Sequence, residues 1–251
     1  MYRTKVTEEI KLFYQKSEDY PGQVALMAQF LPTFDRGSRR KKLLVQEEEL
    51  DEIDLPKELD SIVYQFIFVV DRSGSMGQYN RMNITLDALK LFMQSLPDKS
   101  QFGIISFGST AEWMTLDRFK AVIFNYENRT RDRTLREIKN FTNDFKGTNI
   151  LNPIKMAFKA KVAQGVKKRI FMLTDGSVPN SAEMVKIDGK PQTFYSYIKN
   201  TCQATDDVKV FTFGIGDECS KQLVKDSSVV GRGDYNIVGD NDPKSLKIKV
   251  V

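Results

Sequence analysis

The sequence predicts an α/β protein with a doubly wound, mostly parallel sheet flanked by helices, on three observations. Short apolar runs alternate with segments of helical period. The runs are too short for helices and rich in β-branched or aromatic residues, the mark of strands buried on both faces. Apolar stripes at helical spacing lie between them, as crossover helices require.

Taken in order, residues 1–60 form a leader that stands apart in charge. It holds a basic block, Asp35–Lys42, and a run of eight carboxylates from Glu47 to Asp60, blocks that favour linkers over a core. Gln23–Pro32 is apolar enough for a strand or a docked segment. From residue 61 to 251 the pattern is that of one domain. Phe66–Val70, Phe102–Phe107, Ile170–Leu173 and Val208–Phe213 read as strands, and Tyr235–Val238 as the last. Met82, Leu86, Leu89, Met93 and Leu96 mark a helix ending before Pro97. Further helices are expected over about Arg133–Asn143, Asn152–Ala163 with Pro153 in its first turn, and Phe194–Thr201.

Composition excludes several chemistries. With no histidine among 251 residues there is no imidazole triad, Cys–His pair or HExxH zinc site, and two cysteines cannot build a four-thiolate centre. Cys202 and Cys219 read as free thiols of a reducing compartment. The N-terminal residues lack a signal peptide's apolar run and no stretch approaches a membrane span, so a cytoplasmic location is expected. A net charge of +5, with the basic residues of Arg118–Lys139 interrupted by acids and aromatics, argues against a nucleic-acid groove.

The residues just past the strand ends carry the chemistry. The first strand ends in Asp71-Arg-Ser73-Gly-Ser75, where a carboxylate and two hydroxyls alternate around a glycine turn. Ile170–Leu173 runs into Thr174-Asp175-Gly176, and Gly147-Thr148-Asn149 precedes a helix. Asp71, Ser73, Ser75, Thr148 and Asp175 are then hard oxygen donors on one sheet edge, a set suited to Mg²⁺ and open to Mn²⁺ or Ca²⁺.

These five positions resemble the metal-ion-dependent adhesion site of von Willebrand factor type A (VWA) domains, and the likeness covers about residues 61–250, including Phe102–Gly108 and Phe211–Gly216. Val24–Phe34 is similar to the segment that precedes the A domain in VIT/VWA proteins, the group of inter-alpha-trypsin inhibitor heavy chains; the leader is too short for a whole VIT domain before residue 24. The resemblance implies a Rossmann-like fold in which Ser73 and Ser75 coordinate an ion directly, Thr148 joins them when ligand is engaged, and Asp71 and Asp175 act through waters. It also implies a terminal helix from Asp242, here cut short by Val251. Hydroxyl ligation places little negative charge on the ion, so its open position is expected to take a partner protein's Glu or Asp carboxylate, and no catalysis is expected.

Two other functions compete: a scaffold subunit with metal-independent contacts, and a Mg²⁺-dependent phosphoryl hydrolase, which the serine two positions after Asp71 and the lack of a P-loop disfavour. Smaller motifs carry less. Arg232-Gly-Asp234 reads as turn chemistry, the sequons at Asn83, Asn128 and Asn140 as pattern alone, and Gly214-Ile-Gly216 lacks the third glycine of a dinucleotide loop. Trp113 and Phe107 read as packing residues, and Arg72 and Gln78–Arg81 as exposed loop.

Overall fold

The computed structural model describes residues 7–16, 24–33, 63–116, 121–176, 184–205 and 207–240. The charged blocks at 35–42 and 47–60, and the terminal helix expected from Asp242, lie outside the described residues. Two units divide the chain, Met1–Asp54 and Leu55–Val251. In the first, β1 (Thr7–Lys16) pairs antiparallel with β2 (Val24–Thr33), from Thr7 opposite Thr33 to Lys16 opposite Val24. The apolar segment is thus a strand, one of its two expected forms, and its partner β1 is an element that the sequence reading lacks.

The second unit runs β3 (Tyr64–Asp71), α1 (Arg81–Ser95), β4 (Gln101–Phe107), β5 (Ala111–Trp113), β6 (Phe124–Asn125), α2 (Asn128–Glu137), α3 (Leu151–Lys159), β7 (Lys167–Thr174), β8 (Val185–Ile187), β9 (Lys190–Gln192), α4 (Phe194–Gln203), β10 (Val208–Ile215), α5 (Lys221–Val230) and β11 (Arg232–Val238). Its sheet has the order β11–β10–β7–β3–β4–β5, with β6 also on β4. The five long strands are parallel, while β5 and β6 run antiparallel to β4. This is the mixed α/β architecture the sequence predicts.

Alternation along β3 shows why its central run, Phe66–Val70, is continuously apolar. Phe68 and Val70 enter a core with α1, whereas Ile67 and Val69 enter the opposite core with α3, α4 and α5. With both faces covered, positions 66–70 all favour apolar side chains. On the α1 side Phe171 stacks on Phe211 at 5.0 Å and Phe92 meets Phe213 edge-on at 5.1 Å, arrangements that suit the ring quadrupoles. Phe107 is buried and Trp113 packs on the α3-side core, as expected.

Several elements differ from the sequence reading. Helix α2 starts at Asn128, earlier than the expected Arg133, because Glu127 and Thr130 form a reciprocal capping box. It gives way to a 3₁₀ turn, Ile138–Asn140, and not to a helix reaching Asn143. Helix α3 ends at Lys159, short of Ala163, where the buried Lys168 ammonium donates to the carbonyls of Ala157, Phe158 and Ala160 at 3.1, 3.0 and 2.7 Å. That caps the last turn from outside the helix.

Asp188 and Gly189 form the tip of the β8–β9 hairpin, at φ +48° and +85°. Both residues have the positive φ of a primed turn, and Asp188 pairs with Lys155 and Lys159 of α3. Arg232-Gly-Asp234 lies in the first residues of β11. There a Cβ on Gly233 would stand 2.1 Å from the Val210 carbonyl, so the glycine serves close strand packing. Cys202 and Cys219 are free and buried. Among the described residues no helix is long and apolar enough to cross a membrane.

Candidate metal centre

The carboxyl ends of β3 and β7 lie side by side and release Asp71 and Asp175 at the same edge. Asp71 is fully buried, and both its oxygens are engaged. Oδ1 accepts from the Ser73 amide at 2.9 Å, and Oδ2 accepts from the Thr174 hydroxyl at 2.5 Å. The first bond bends the chain back after the strand, and Gly74 begins a 3₁₀ turn, Gly74–Gly77, that carries Ser75. The Ser73 and Ser75 hydroxyl oxygens stand 3.1 Å apart. Two adjacent ligands of an octahedral magnesium, each at about 2.1 Å, would be separated by about 3.0 Å.

Thr148 arrives on a loop fastened on both sides. The Gly74 amide donates to the Lys146 carbonyl at 2.6 Å, and the Asn149 amide donates to the Gly108 carbonyl at 2.7 Å. Upstream, the Phe145 amide donates to the Arg72 carbonyl at 3.1 Å. The Arg72 guanidinium lies between the rings of Phe141 and Phe145, 4.6 and 4.5 Å from their centroids. It also donates to the Thr142 carbonyl at 2.8 Å, the Ser106 hydroxyl at 3.4 Å and the Asp144 carboxylate at 2.7 Å. Arg72 is therefore buried, contrary to the sequence reading of it as exposed loop, and it pins the segment that presents Thr148.

Arg81 corrects the same reading, while Gln78, Tyr79 and Asn80 are exposed as expected. At the start of α1 it reaches Asp175 at 3.5 Å through Nη1 and Asp240, just after β11, at 3.2 Å through Nε, with its side chain 4% exposed. Burial works against its charge. The Asp240 hydrogen bond and the charges of Asp240, Asp175 and Glu218 outweigh that and raise its pKa. Gly216, at φ +94°, makes room: a Cβ there would fall 2.4 Å from Arg81 Nε. A sequence signal existed, since Arg81 shares the buried face of α1 with Thr85, Ala88 and Phe92.

The electrostatics of Asp71 are those of a carboxylate that a cation would stabilise. Burial, reinforced by the Asp175 charge, pushes the Asp71 carboxyl up to about 6 from 3.8, against the lowering effect of its hydrogen bonds from Ser73 and Thr174. A dication would remove that penalty, and the oxygen-only donors fit a hard ion. The structure thus brings Asp71, Ser73 and Ser75 into one bonded group with Asp175 beside it and Thr148 on the loop tied to Gly74. Among the described residues no group of three or more His, Cys, Asp or Glu side chains forms an alternative metal site.

Comparison with known proteins agrees with the fold. The sequence profile of the von Willebrand factor type A domain matches residues 64–237. The chain is 31% identical over 191 residues to von Willebrand factor A domain-containing protein 5B1 of Mus musculus, an alignment covering 73% of this chain and 14% of that protein. It therefore spans about a seventh of that relative's length. Among solved structures, a von Willebrand factor type A protein from Catenulispora acidiphila superposes with a TM-score of 0.58 at 13% identity, over 98% of this chain and 48% of that one. Proximal thread matrix protein 1 of the mussel byssus, solved with a zinc-occupied adhesion-site motif, superposes with a TM-score of 0.53 at 14% identity, over 75% of this chain and 46% of that one.

Proposed function

The chain belongs to the von Willebrand factor type A domain family, whose members generally serve as protein-interaction modules, and on that premise we propose that it captures a partner through a bound divalent ion, Mg²⁺ foremost. The observation that carries the reading is the Ser73–Ser75 oxygen separation of 3.1 Å, next to the buried Asp71 carboxylate that accepts from the Ser73 amide.

In this reading Ser73 and Ser75 supply direct oxygens and Thr148 supplies a third, while Asp71 and Asp175 hold water and balance charge from beneath. The ion supplies an open, electrophilic coordination position that takes a Glu or Asp side chain of the partner. A cytoplasmic setting and the VIT/VWA subgroup belong to the same proposal, supported by the free buried thiols and by the Val24–Phe34 segment.

The proposed role is binding and not catalysis. With Oδ1 held by the Ser73 amide and Oδ2 by the Thr174 hydroxyl, Asp71 is poorly placed to attack a phosphoryl group. The test is capture by the immobilised protein in magnesium, in EDTA, and with Asp71→Ala. Capture that depends on magnesium and on Asp71 supports the proposal, and capture indifferent to both refutes it in favour of a metal-independent scaffold.

A further inference from the structure

Arg81 has a place in the fold that simple structural pairing does not explain. Its guanidinium is shared between two carboxylates on different strand ends, Asp175 and Asp240, at 3.5 and 3.2 Å. Its remaining nitrogen, Nη2, is buried without a hydrogen-bond partner. An arginine held only for stability would be expected to satisfy all its donors, because each buried one left unmatched is costly. Gly216 clears space for it with a backbone that L side chains rarely adopt. The fold accommodates a full positive charge directly behind a candidate metal ligand.

We propose that Arg81 is the specificity-determining residue of the metal site: its charge keeps the loaded site from being net negative, and so lets it take an anionic ligand. This rests on the metal-site reading. Asp71, Asp175 and Asp240 carry three negative charges against the one positive charge of Arg81, leaving two negative charges in excess when all three are ionised, while Arg72 on the other side is paired with Asp144. A dication cancels that excess, so a partner's carboxylate meets no standing negative charge at the open position. With Arg81 replaced by an uncharged side chain, three carboxylates and the dication leave one negative charge in excess. The site then holds its metal more tightly and no longer favours an acid. Asp217 and Glu218 lie nearby but are exposed, so water screens them.

The experiment is calorimetric titration of magnesium chloride into wild type, Arg81→Met, Arg81→Lys and Asp240→Asn at neutral pH. Acetate is then added to the manganese-loaded proteins, and its displacement of metal-bound water is read by water-proton relaxation. Arg81→Met should bind magnesium about tenfold more tightly or better, and its relaxation should respond less to acetate; Arg81→Lys should behave as wild type. Asp240→Asn leaves Arg81 less compensated and should weaken magnesium severalfold, which keeps the test decisive if Arg81→Met does not fold. If wild type binds no magnesium, the site reading itself fails. If wild type binds but the folded Arg81→Met binds equally or more weakly, or Asp240→Asn binds more tightly, the role of Arg81 is overturned.

Discussion

Arg72 and Arg81 stand on opposite sides of the strand-end cluster, both buried, and the fold treats them differently. Arg72 has an aromatic ring on each face and oxygens on three of its edges, one of them the exposed Asp144. Arg81 divides itself between Asp175 and Asp240 and leaves a nitrogen unmatched, with the exposed Tyr79 ring above it at 5.3 Å. The first arrangement makes a clamp, whose energy goes into holding the Thr148 loop. The second sets a potential: what matters about Arg81 is its charge beside Asp175, more than the quality of its contacts.

The largest effect should come from removing the clamp. Arg72→Ala loses two cation–π contacts and orphans the Thr142 carbonyl, and should cost about 3 kcal/mol in denaturant unfolding. Arg72→Lys should recover little, because an ammonium cannot reproduce the planar fork. A loss below about 1 kcal/mol for Arg72→Ala would show that the loop is held by its backbone bonds alone. On the other side, Gly216→Ala forces a Cβ into Arg81 and strains a φ of +94°. It should cost about 2 kcal/mol and disturb magnesium affinity, whereas Gly165→Ala, at φ +80° in open space, should carry the backbone penalty only.

Acidity offers a third way to separate the two sides. The Asp71 carboxyl, pushed up from 3.8 to about 6, keeps its proton in the metal-free fold where the unfolded chain has lost it. That proton therefore stabilises the metal-free fold at low pH, and up to about 3 kcal/mol is lost as pH rises from 3.8 through about 6. Magnesium must displace the same proton, so its affinity should fall about tenfold per pH unit below about 6, measured by calorimetry at several acidities. A flat profile would mean that Asp71 is already compensated. The smallest effect expected is from Tyr79→Ala, under about 1 kcal/mol by thermal unfolding, since that ring is 65% exposed.

How far the sequence can be read depends on what each segment buries. Strands covered on both faces leave continuous apolar runs, and α1 shows its stripe, so the sheet and the strand-end placement of Asp71 and Asp175 are legible. Helix α5 is not, because it turns Ser227 and Ser228 inward beside Leu223 and Val224, which breaks the apolar period. Residues 185–192 form strands of three residues each, too short to leave a pattern. The two arginines read as solvent-facing because arginine usually is, and only tertiary partners reveal otherwise. The Phe141–Phe145 pair with Asp144 between them, and the position of Arg81 on the inner face of α1, are the hints the sequence holds.

Magnesium titration of wild type against Asp71→Ala, followed calorimetrically near neutral pH, tests the central claim most directly. The account predicts saturable binding of one ion by wild type and none by the folded variant. No heat from wild type, or equal binding by both proteins, would contradict it.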